Sequence, residues 1–305
     1  MCDSTFTFGQ RGSHYFQCPS RRDHMRSPKK LGKLLTSNQI LQVHHVTLGF
    51  ENSYLLTWRD KDGGDHIDSQ GLPPELANFL YAEDRQHVLL RKIPQLRLTL
   101  GPYNRSFFVH DSSAYLWMNL PSGLLSAIQS RVKEGNWLDR PRIVALGADD
   151  NFLLVTENHS AVWDLSNYRT ISSMLEFSRT QDRGIQEVHH IVLHAHRYQC
   201  FIAQSRNGTL IFENLPQHEV AGMQAMREAI LKDTEDAERT TRLVRRTSEF
   251  QTRPREAQRR PSLQHRVTST RDSVDRKQDL RAQTRGLKLS LSLSVSVAGL
   301  GKLLG

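Results

Sequence analysis

The histidine-rich segment HHIVLHAH contains the side chains best suited to binding a metal ion. In an extended strand His190, His194 and His196 lie on one face, and Cys200 follows shortly after them. Imidazole and thiolate groups are good zinc ligands. The spacing matches no structural zinc motif, however. We therefore expect these residues, with His189, to be partly exposed strand histidines rather than a metal site.

A second group with possible chemistry is the acidic segment RDKDGGDHIDS. Its alternating carboxylates and paired glycines resemble a calcium loop, but the glutamate of an EF-hand is missing. We expect an exposed hairpin loop containing Asp60, Asp62, Asp65 and Asp68. The chain also lacks nucleophile-elbow, phosphate-loop and dinucleotide-binding motifs. We therefore assign no catalytic residue, metal or cofactor, and expect a protein that is not an enzyme.

A repeated pattern organises the middle of the chain. Four segments align without gaps: VTLGFENSYLLTW (46–58), LTLGPYNRSFFVH (98–110), VALGADDNFLLVT (144–156) and IVLHAHRYQCFIA (191–203). The leucine in the third position of each segment is the anchor of the repeat. A pair of bulky apolar residues follows each anchor, then an aromatic residue in three copies, and then Leu-Pro in three copies. We expect the structural core of the repeats to contain Leu48, Leu100, Leu146, Leu193, Phe108, Leu154, Phe201, Trp117, Trp163 and Phe212.

A period in the forties is typical of blade-like repeats. Each copy contains short apolar runs between turn residues, followed by a helical pattern after Leu-Pro, where proline suits the first turn. The pattern predicts a mainly β fold with a short helix per repeat. We expect a propeller-like array of four units over residues 39–238, with repeats at about 46–90, 98–140, 144–186 and 191–231. An open β/α solenoid, and a partial propeller completed by a partner chain, are the alternatives. The segment His87–Ile93 is expected to supply a further strand.

The repeat resembles a family of filamentous-fungal proteins with no assigned activity. The similarity rests on HHVTLG, GPYNRSFFVHDSSAYLWMNLP, VWDLSNYRT and QSRNGTLIFENLP, and on the C-terminal alternation GLKLSLSLSVSV. It extends from about Gly9 to the C-terminus. The resemblance implies a fungal, cytosolic protein with LG…FF…WxNLP repeats and a polar tail.

Charge is distributed unevenly along the chain. Residues 1–38 carry 7 basic and 2 acidic residues, residues 39–238 carry 18 and 25, and residues 239–288 carry 15 and 5. The basic character therefore belongs to the ends. We expect residues 1–38 to be a basic N-terminal extension. We expect residues 239–286 to be a disordered tail rich in Arg, Ser and Thr, because that segment has too few apolar residues to offset its ordering entropy.

Two sites in this tail, Ser248 and Ser262, follow the Arg-Arg-x pattern of basophilic kinases and are candidate phosphorylation sites. Residues 287–305 alternate apolar and polar side chains with a period of two, so we expect an amphipathic β segment. That segment could add a strand to the body, pair with another chain in self-association, or contact a membrane surface.

These observations favour a protein–protein interaction or scaffold protein with a basic, phosphoregulated tail and a protein partner. A lectin-like small-ligand binder is one alternative. Attachment to nucleic acid or to an anionic membrane through the tail is another. Only three cysteines occur, and we find no secretory signal and no transmembrane segment. We therefore expect a cytoplasmic location, with the nucleus as the alternative.

Overall fold

The fold is mainly β, as predicted. A computed structural model describes residues 2–251 of the chain. The described part contains five three-stranded antiparallel sheets, each followed by a helix, and one short two-stranded hairpin. In each three-stranded sheet the strands pair in chain order, the middle strand hydrogen-bonding to both others. One sheet and the helix after it are called a unit below.

The units have the following bounds. Unit 1 comprises β1 (Thr5–Phe8), β2 (His14–Cys18), β3 (Arg21–Met25) and α1 (Lys29–Leu35). Unit 2 comprises β4 (Ile40–Leu48), β5 (Tyr54–Asp60), β6 (Asp65–Gln70) and α2 (Pro74–Leu80). Unit 3 comprises β7 (Arg97–Leu100), β8 (Phe107–His110), β9 (Tyr115–Met118) and α3 (Ser122–Gln129), followed by the hairpin β10 (Val132–Lys133) and β11 (Asn136–Trp137).

The remaining two units follow directly. Unit 4 comprises β12 (Pro141–Leu146), β13 (Phe152–Thr156), β14 (Ala161–Asp164) and α4 (Arg169–Thr180), with the single-turn helix α5 (Gly184–Glu187) after it. Unit 5 comprises β15 (Val188–Leu193), β16 (Phe201–Ser205), β17 (Leu210–Glu213) and α6 (Gln217–Gln251). A proline immediately precedes α1, α2, α3 and α6. Its fixed φ angle and missing N–H suit that position.

The array contains five units rather than the expected four. Residues 1–38 are not an extension: they form a complete unit with the same order of elements as the others. The segment FTFGQRGSHYFQ (6–17) aligns without gaps with VTLGFENSYLLT (46–57) and places Phe8 at the anchor position. In β1, Phe6 and Phe8 occupy positions where the other copies have Val, Leu or Ile, and the sheet of unit 1 ends in the basic strand β3. These differences concealed the fifth copy.

The bulky pair in the middle strand explains how the units pack. Successive strand residues point to opposite faces of a sheet. Leu55 therefore packs toward unit 3, whereas Leu56 packs toward unit 1. Phe107 and Phe108 also divide between the two neighbouring units, but in the opposite order: Phe107 packs toward unit 2 and Phe108 toward unit 4. The order is reversed because the turn between the first two strands is one residue longer in unit 3 than in unit 2. One apolar pair per repeat thus supplies two interfaces, and each helix fills the space between its own sheet and the next.

The hydrophobic core consists of five clusters, one for each pair of neighbouring units, including the last and the first. The cluster between units 5 and 1 joins Phe6 and Phe16 to Ile202 and to Met223 and Met226 of α6. All three cysteines lie in this cluster, buried and without disulfide bonds.

The predicted repeat residues occupy two environments. Seven of the ten are buried: Leu48, Leu100, Leu146, Leu193, Phe108, Leu154 and Phe201. Trp117, Trp163 and Phe212, which lie in the third strand of their units, are only partly buried and pack against the edge of a cluster. The third strand of each sheet is its edge strand, so one side of these rings faces solvent.

Hydrogen bonds also join the first strands of successive units. Thr7 Oγ1 accepts a bond from the Leu48 amide (2.9 Å), and Thr47 Oγ1 donates to the Leu98 carbonyl (2.8 Å). Thr99 Oγ1 donates to Val144 in the same manner (2.8 Å). Each threonine immediately precedes its anchor. The repeat therefore encodes a polar contact between units as well as an apolar one.

The remaining predictions have different outcomes. The segment His87–Ile93 does not form a strand; the described structure there is an isolated bridge between Glu83 and Leu89. Helix α6 extends to Gln251, so the region expected to be disordered from residue 239 begins as a helix that includes Ser248. Ser262, the rest of the tail and residues 287–305 lie outside the described residues. No described helix combines the length and apolar composition needed to cross a membrane.

Candidate functional site

A central cavity of about 900 Å³ is lined by the first strand of every unit. These strands are β1, β4, β7, β12 and β15, and each lies beside the first strand of the next unit in the chain. Contacts between units 1 and 5 complete its wall, because Phe6 stacks on His190 and Phe8 stacks on His194. A cavity shared by all five repeats is the natural place to search for a binding site.

The repeat places basic side chains at one level of this cavity. The position three residues before the anchor is occupied by His45 in unit 2, Arg97 in unit 3 and His190 in unit 5. In unit 4 the register of β12 shifts by one residue between Pro141 and Ile143, and Arg142 lines the cavity there. The side chains come from four repeats, yet they face one space because the repeats place their first strands in equivalent positions.

Three further basic side chains complete this group. They are His110, which pairs across the sheet with Arg97, and His189 and Arg206 of unit 5. We call the following seven residues the cationic cluster: His45, Arg97, His110, Arg142, His189, His190 and Arg206. Asp3 is the one carboxylate among the described residues that line the cavity. None of the three arginines forms an ion pair with a described carboxylate.

Burial is the main influence on the pKa values of the cationic cluster, and repulsion between its members adds to it. Burial, followed by repulsion from Arg97, lowers the pKa of His45 to about 3 and the pKa of His110 to about 4. The pKa of His190 is lowered to about 4 by burial, then by His189, Arg97 and Arg142. Burial lowers the pKa of Arg142, and Arg206 lowers it further. At neutral pH these imidazoles are therefore uncharged, and the arginines supply the positive charge.

Hydrogen bonding shows which groups in the cationic cluster still lack partners. His45 Nε2 accepts the Leu98 amide proton (3.3 Å) and lies 2.8 Å from Thr47 Oγ1. Arg142 uses one nitrogen to donate to the carbonyls of Val188 (2.7 Å) and His189 (3.3 Å). Its Nε and Nη2, Nε of Arg206 and Nδ1 of His190 are buried without a hydrogen-bond partner among the described residues. Such unpaired donors cost free energy unless a bound group satisfies them.

Aromatic side chains meet at the turns that follow three of the anchors. The turns of units 2, 3 and 5 bring Phe50, Tyr103 and His196 within 5.0 to 5.9 Å of one another, measured between ring centroids. Of these three residues, His196 lines the cavity. Through these contacts the turn of unit 5 reaches units 2 and 3, which do not adjoin it in the chain.

The histidine-rich segment is not gathered into one metal cluster. Strand β15 ends at Leu193, so His190 lies in the cationic cluster, whereas His194 stacks on Phe8 and His196 contacts the rings of Phe50 and Tyr103. Cys200 is fully buried in the core. The predicted common face of three histidines is therefore wrong, because the strand ends too early.

The four aspartates lie in the β5–β6 hairpin, and protein groups contact the carboxylates of three of them. Asp60 accepts hydrogen bonds from the amides of Asp62 and Gly64. Asp65 contacts the Arg59 guanidinium, and Asp68 accepts from Tyr54. This is the hairpin that the sequence suggested, and these three carboxylates already have protein partners.

Sequence reasoning missed the arginines of the cationic cluster. Arg97 and Arg142 are ordinary charged residues in a linear reading, and no motif joins them. An alignment of the repeats could have revealed them, because a basic residue stands three or four positions before the anchor in four copies. In comparisons with protein-family models, curated proteins and solved structures, no match to the chain was found.

Proposed function

We propose that the chain is a non-catalytic binding protein whose central cavity holds a small anion. The observation that carries this proposal is the cationic cluster: three arginines and four imidazoles share one end of a cavity with a single lining carboxylate. A bound anion would compensate the charge of the arginines and satisfy the unpaired donors of Arg142 and Arg206.

We further propose that the five units form a propeller-like ring around this cavity. The apolar cluster shared by units 5 and 1 supports closure, as do the stacked rings of Phe6 with His190 and Phe8 with His194. Closure would hold the basic side chains in fixed positions. A preformed site loses less conformational entropy on binding.

The chemistry of the cavity points to a multiply charged ligand. Arginine forks pair two nitrogens with two oxygens of a phosphate or carboxylate. The volume of about 900 Å³ is large enough for an organic molecule that carries several such groups. The ligand class we propose is therefore a small polyanion bearing phosphate or carboxylate groups.

The interaction and scaffold function expected from the sequence remains a second proposal. It depends on a protein partner and on tail segments that begin near the end of α6. The acidic body, net −7 over residues 39–238, would suit a contact with the basic tail or with a basic partner. The cavity proposal does not require either contact.

The test of the cavity proposal is calorimetric titration of the full chain with pyrophosphate at 150 mM NaCl. The double variant Arg97→Gln, Arg142→Gln removes two charges from the cavity. Each charge-assisted hydrogen bond contributes about 1.5–3 kcal/mol. We therefore expect at least a tenfold loss of affinity for this variant.

The control is the double variant Arg105→Gln, Arg227→Gln, which removes the same charge from positions that do not line the cavity and leaves the basic tail intact. We expect its affinity to remain close to that of the wild type. Equal affinity of the wild type and the cavity variant, or no saturable binding by the wild type, would show that the cavity is not an anion site.

A further inference from the structure

A second cluster of polar residues lies where units 1 and 5 meet, away from the cavity. Strand β2 supplies His14, and the first turn of α6 supplies His218 and Glu219. One potential ligand atom from each of these three residues lies within 4.8 Å of the others. Asp23, in β3, lies behind His14. His14 lies 204 positions before His218 and 205 before Glu219, so no linear motif reveals the cluster.

Glu219 is the unusual member of this group. Its side chain is fully buried, and neither carboxylate oxygen has a hydrogen-bond donor among the described residues. A buried carboxylate without a donor is costly unless a cation compensates it. Burial raises the pKa of Glu219 to about 7. The nearest groups to its Oε1 are His14 Nδ1 at 3.8 Å and His218 Nε2 at 3.7 Å.

The protonation of His14 directs a lone pair toward this carboxylate. His14 Nε2 lies 3.3 Å from Asp23 Oδ2, a contact that places the ring proton on Nε2. With that proton on Nε2, the lone pair of the ring is on Nδ1. Nδ1 is buried and has no hydrogen-bond partner among the described residues. When Glu219 is ionised, two acceptors, an imidazole nitrogen and a carboxylate oxygen, therefore face each other.

A divalent metal ion explains this arrangement better than a hydrogen bond does. The separations of 3.7 and 3.8 Å are too long for hydrogen bonds. Two ligands of a tetrahedral zinc ion, with bonds of 2.0–2.1 Å, lie about 3.4 Å apart. Movements of a few tenths of an ångström would bring the Glu219 pairs to that spacing. His218 Nε2 would then exchange its contact with the Gly12 carbonyl, at 3.0 Å, for the metal.

The surroundings of the cluster fit a metal site. A carboxylate that accepts from the second nitrogen of a ligating histidine orients the ring and makes it a better ligand. Asp23 has this position relative to His14. Helix α6 makes room for Asp23 with Gly222, where an added Cβ would lie 1.9 Å from Asp23 Oδ2. Gly12 adopts φ +75°, and a Cβ there would lie 2.5 Å from the His218 ring.

We propose that His14, His218 and Glu219 bind one zinc ion, which links unit 1 to the helix of unit 5. Two imidazoles and one carboxylate are a normal zinc donor set, and a water molecule would complete a tetrahedron. The ion would connect the two ends of the array across the interface where the chain closes on itself. Asp23 acts as a positioning residue that orients His14.

The test is zinc binding by the full chain after removal of metal with a chelator. We expect one zinc ion per chain by elemental analysis after gel filtration, and a cobalt derivative with the visible absorption bands of a tetrahedral site. Zinc should also raise the melting temperature, because it binds the folded state. Glu219→Gln should abolish the cobalt bands and the zinc-dependent shift in melting temperature. Asp23→Asn should weaken zinc binding about 10- to 100-fold while retaining the bands.

The matched control is Glu83→Gln, which removes the carboxylate from the exposed His87–Glu83 pair on the surface. It should bind zinc as the wild type does. His218→Ala serves as a second variant, because His218 is partly exposed and its replacement leaves the buried pair intact. A wild type without bound zinc would overturn the proposal. So would folded Glu219→Gln or His218→Ala proteins that retain the cobalt bands.

Discussion

Unit 1 is an integral part of the core, and replacing Phe16 with alanine tests this directly. Phe16 is fully buried between β1, β2 and α6. Its ring lies 6.0 Å from that of Phe6, 5.9 Å from that of Phe8 and 4.4 Å from that of His14. Truncation of this side chain would remove apolar contacts with unit 1 and unit 5 at once.

The expected effect follows from the burial of Phe16. A buried Phe→Ala substitution costs about 3–5 kcal/mol, which includes the cavity left behind. For a folded region of about 250 residues, 1 kcal/mol lowers the melting temperature by about 2–4 °C. Phe16→Ala should therefore lower the melting temperature by about 6–20 °C, provided that the five units unfold together.

The assay is thermal unfolding of the full chain, followed by circular dichroism and by calorimetry. The control is Phe177→Ala on α4, where the ring is 53% exposed. It should change the melting temperature by no more than about 2 °C, because surface substitutions usually cost less than about 0.5 kcal/mol. If Phe16→Ala were as mild as Phe177→Ala, residues 1–38 would be an accessory extension after all.

Three further predictions concern hydrogen bonding and charge. Thr47→Val should lower the free energy of unfolding by about 1–3 kcal/mol, measured by urea denaturation, because the Leu98 carbonyl loses its Thr47 donor. The control Thr57→Val removes a buried hydroxyl without a partner and should be neutral or stabilising. An equal loss of stability in the two variants would contradict the prediction. Stability should fall as the pH drops from about 6.5 toward 4, by up to about 1.4 kcal/mol per pH unit for each histidine, since His45 and His190 have lowered pKa values of about 3 and 4 and resist the protonation that unfolding permits. Glu219, with its pKa raised to about 7, opposes this loss as a single group between about pH 4.5 and 7, and the two histidines outweigh it below pH 6.5. Urea midpoints that do not change between pH 7 and pH 5 would argue against this. In calorimetry, sulfate, which is a dianion throughout this range, should bind the cavity more tightly at pH 6 than at pH 8, because a bound anion favours protonated imidazoles. A sulfate affinity independent of pH would exclude participation of the imidazoles.

The sequence predicted the fold best at the positions where packing between units requires the repeated residues. The anchors and the apolar pairs recur because every unit must bury both faces of its middle strand, and they correctly located the sheets of units 2 to 5. Unit 1 follows the same pattern with Phe6, Phe8 and Phe16, but its basic flanks suggested an extension. The segment His87–Ile93 has the composition of a strand, yet no neighbouring strand pairs with it beyond a single bridge.

The candidate sites could not be predicted because they exist only through tertiary structure. Arg97 and Arg142 belong to different repeats and meet only when the first strands surround a common cavity. His14 and Glu219 are 205 positions apart and come together when unit 5 packs on unit 1. In contrast, the clusters that stood out in the linear sequence, HHIVLHAH and RDKDGGDHIDS, are dispersed or internally paired in the fold.

The most direct test of the central claim is a crystal structure of the protein with selenate, a dianion that anomalous scattering locates without bias. We expect a selenium peak in the central cavity, within hydrogen-bonding distance of the Arg97 and Arg142 guanidinium groups. That position should be empty in crystals of the double variant Arg97→Gln, Arg142→Gln grown under the same conditions. Selenate found only at surface arginines, with the cationic cluster unoccupied, would contradict the account.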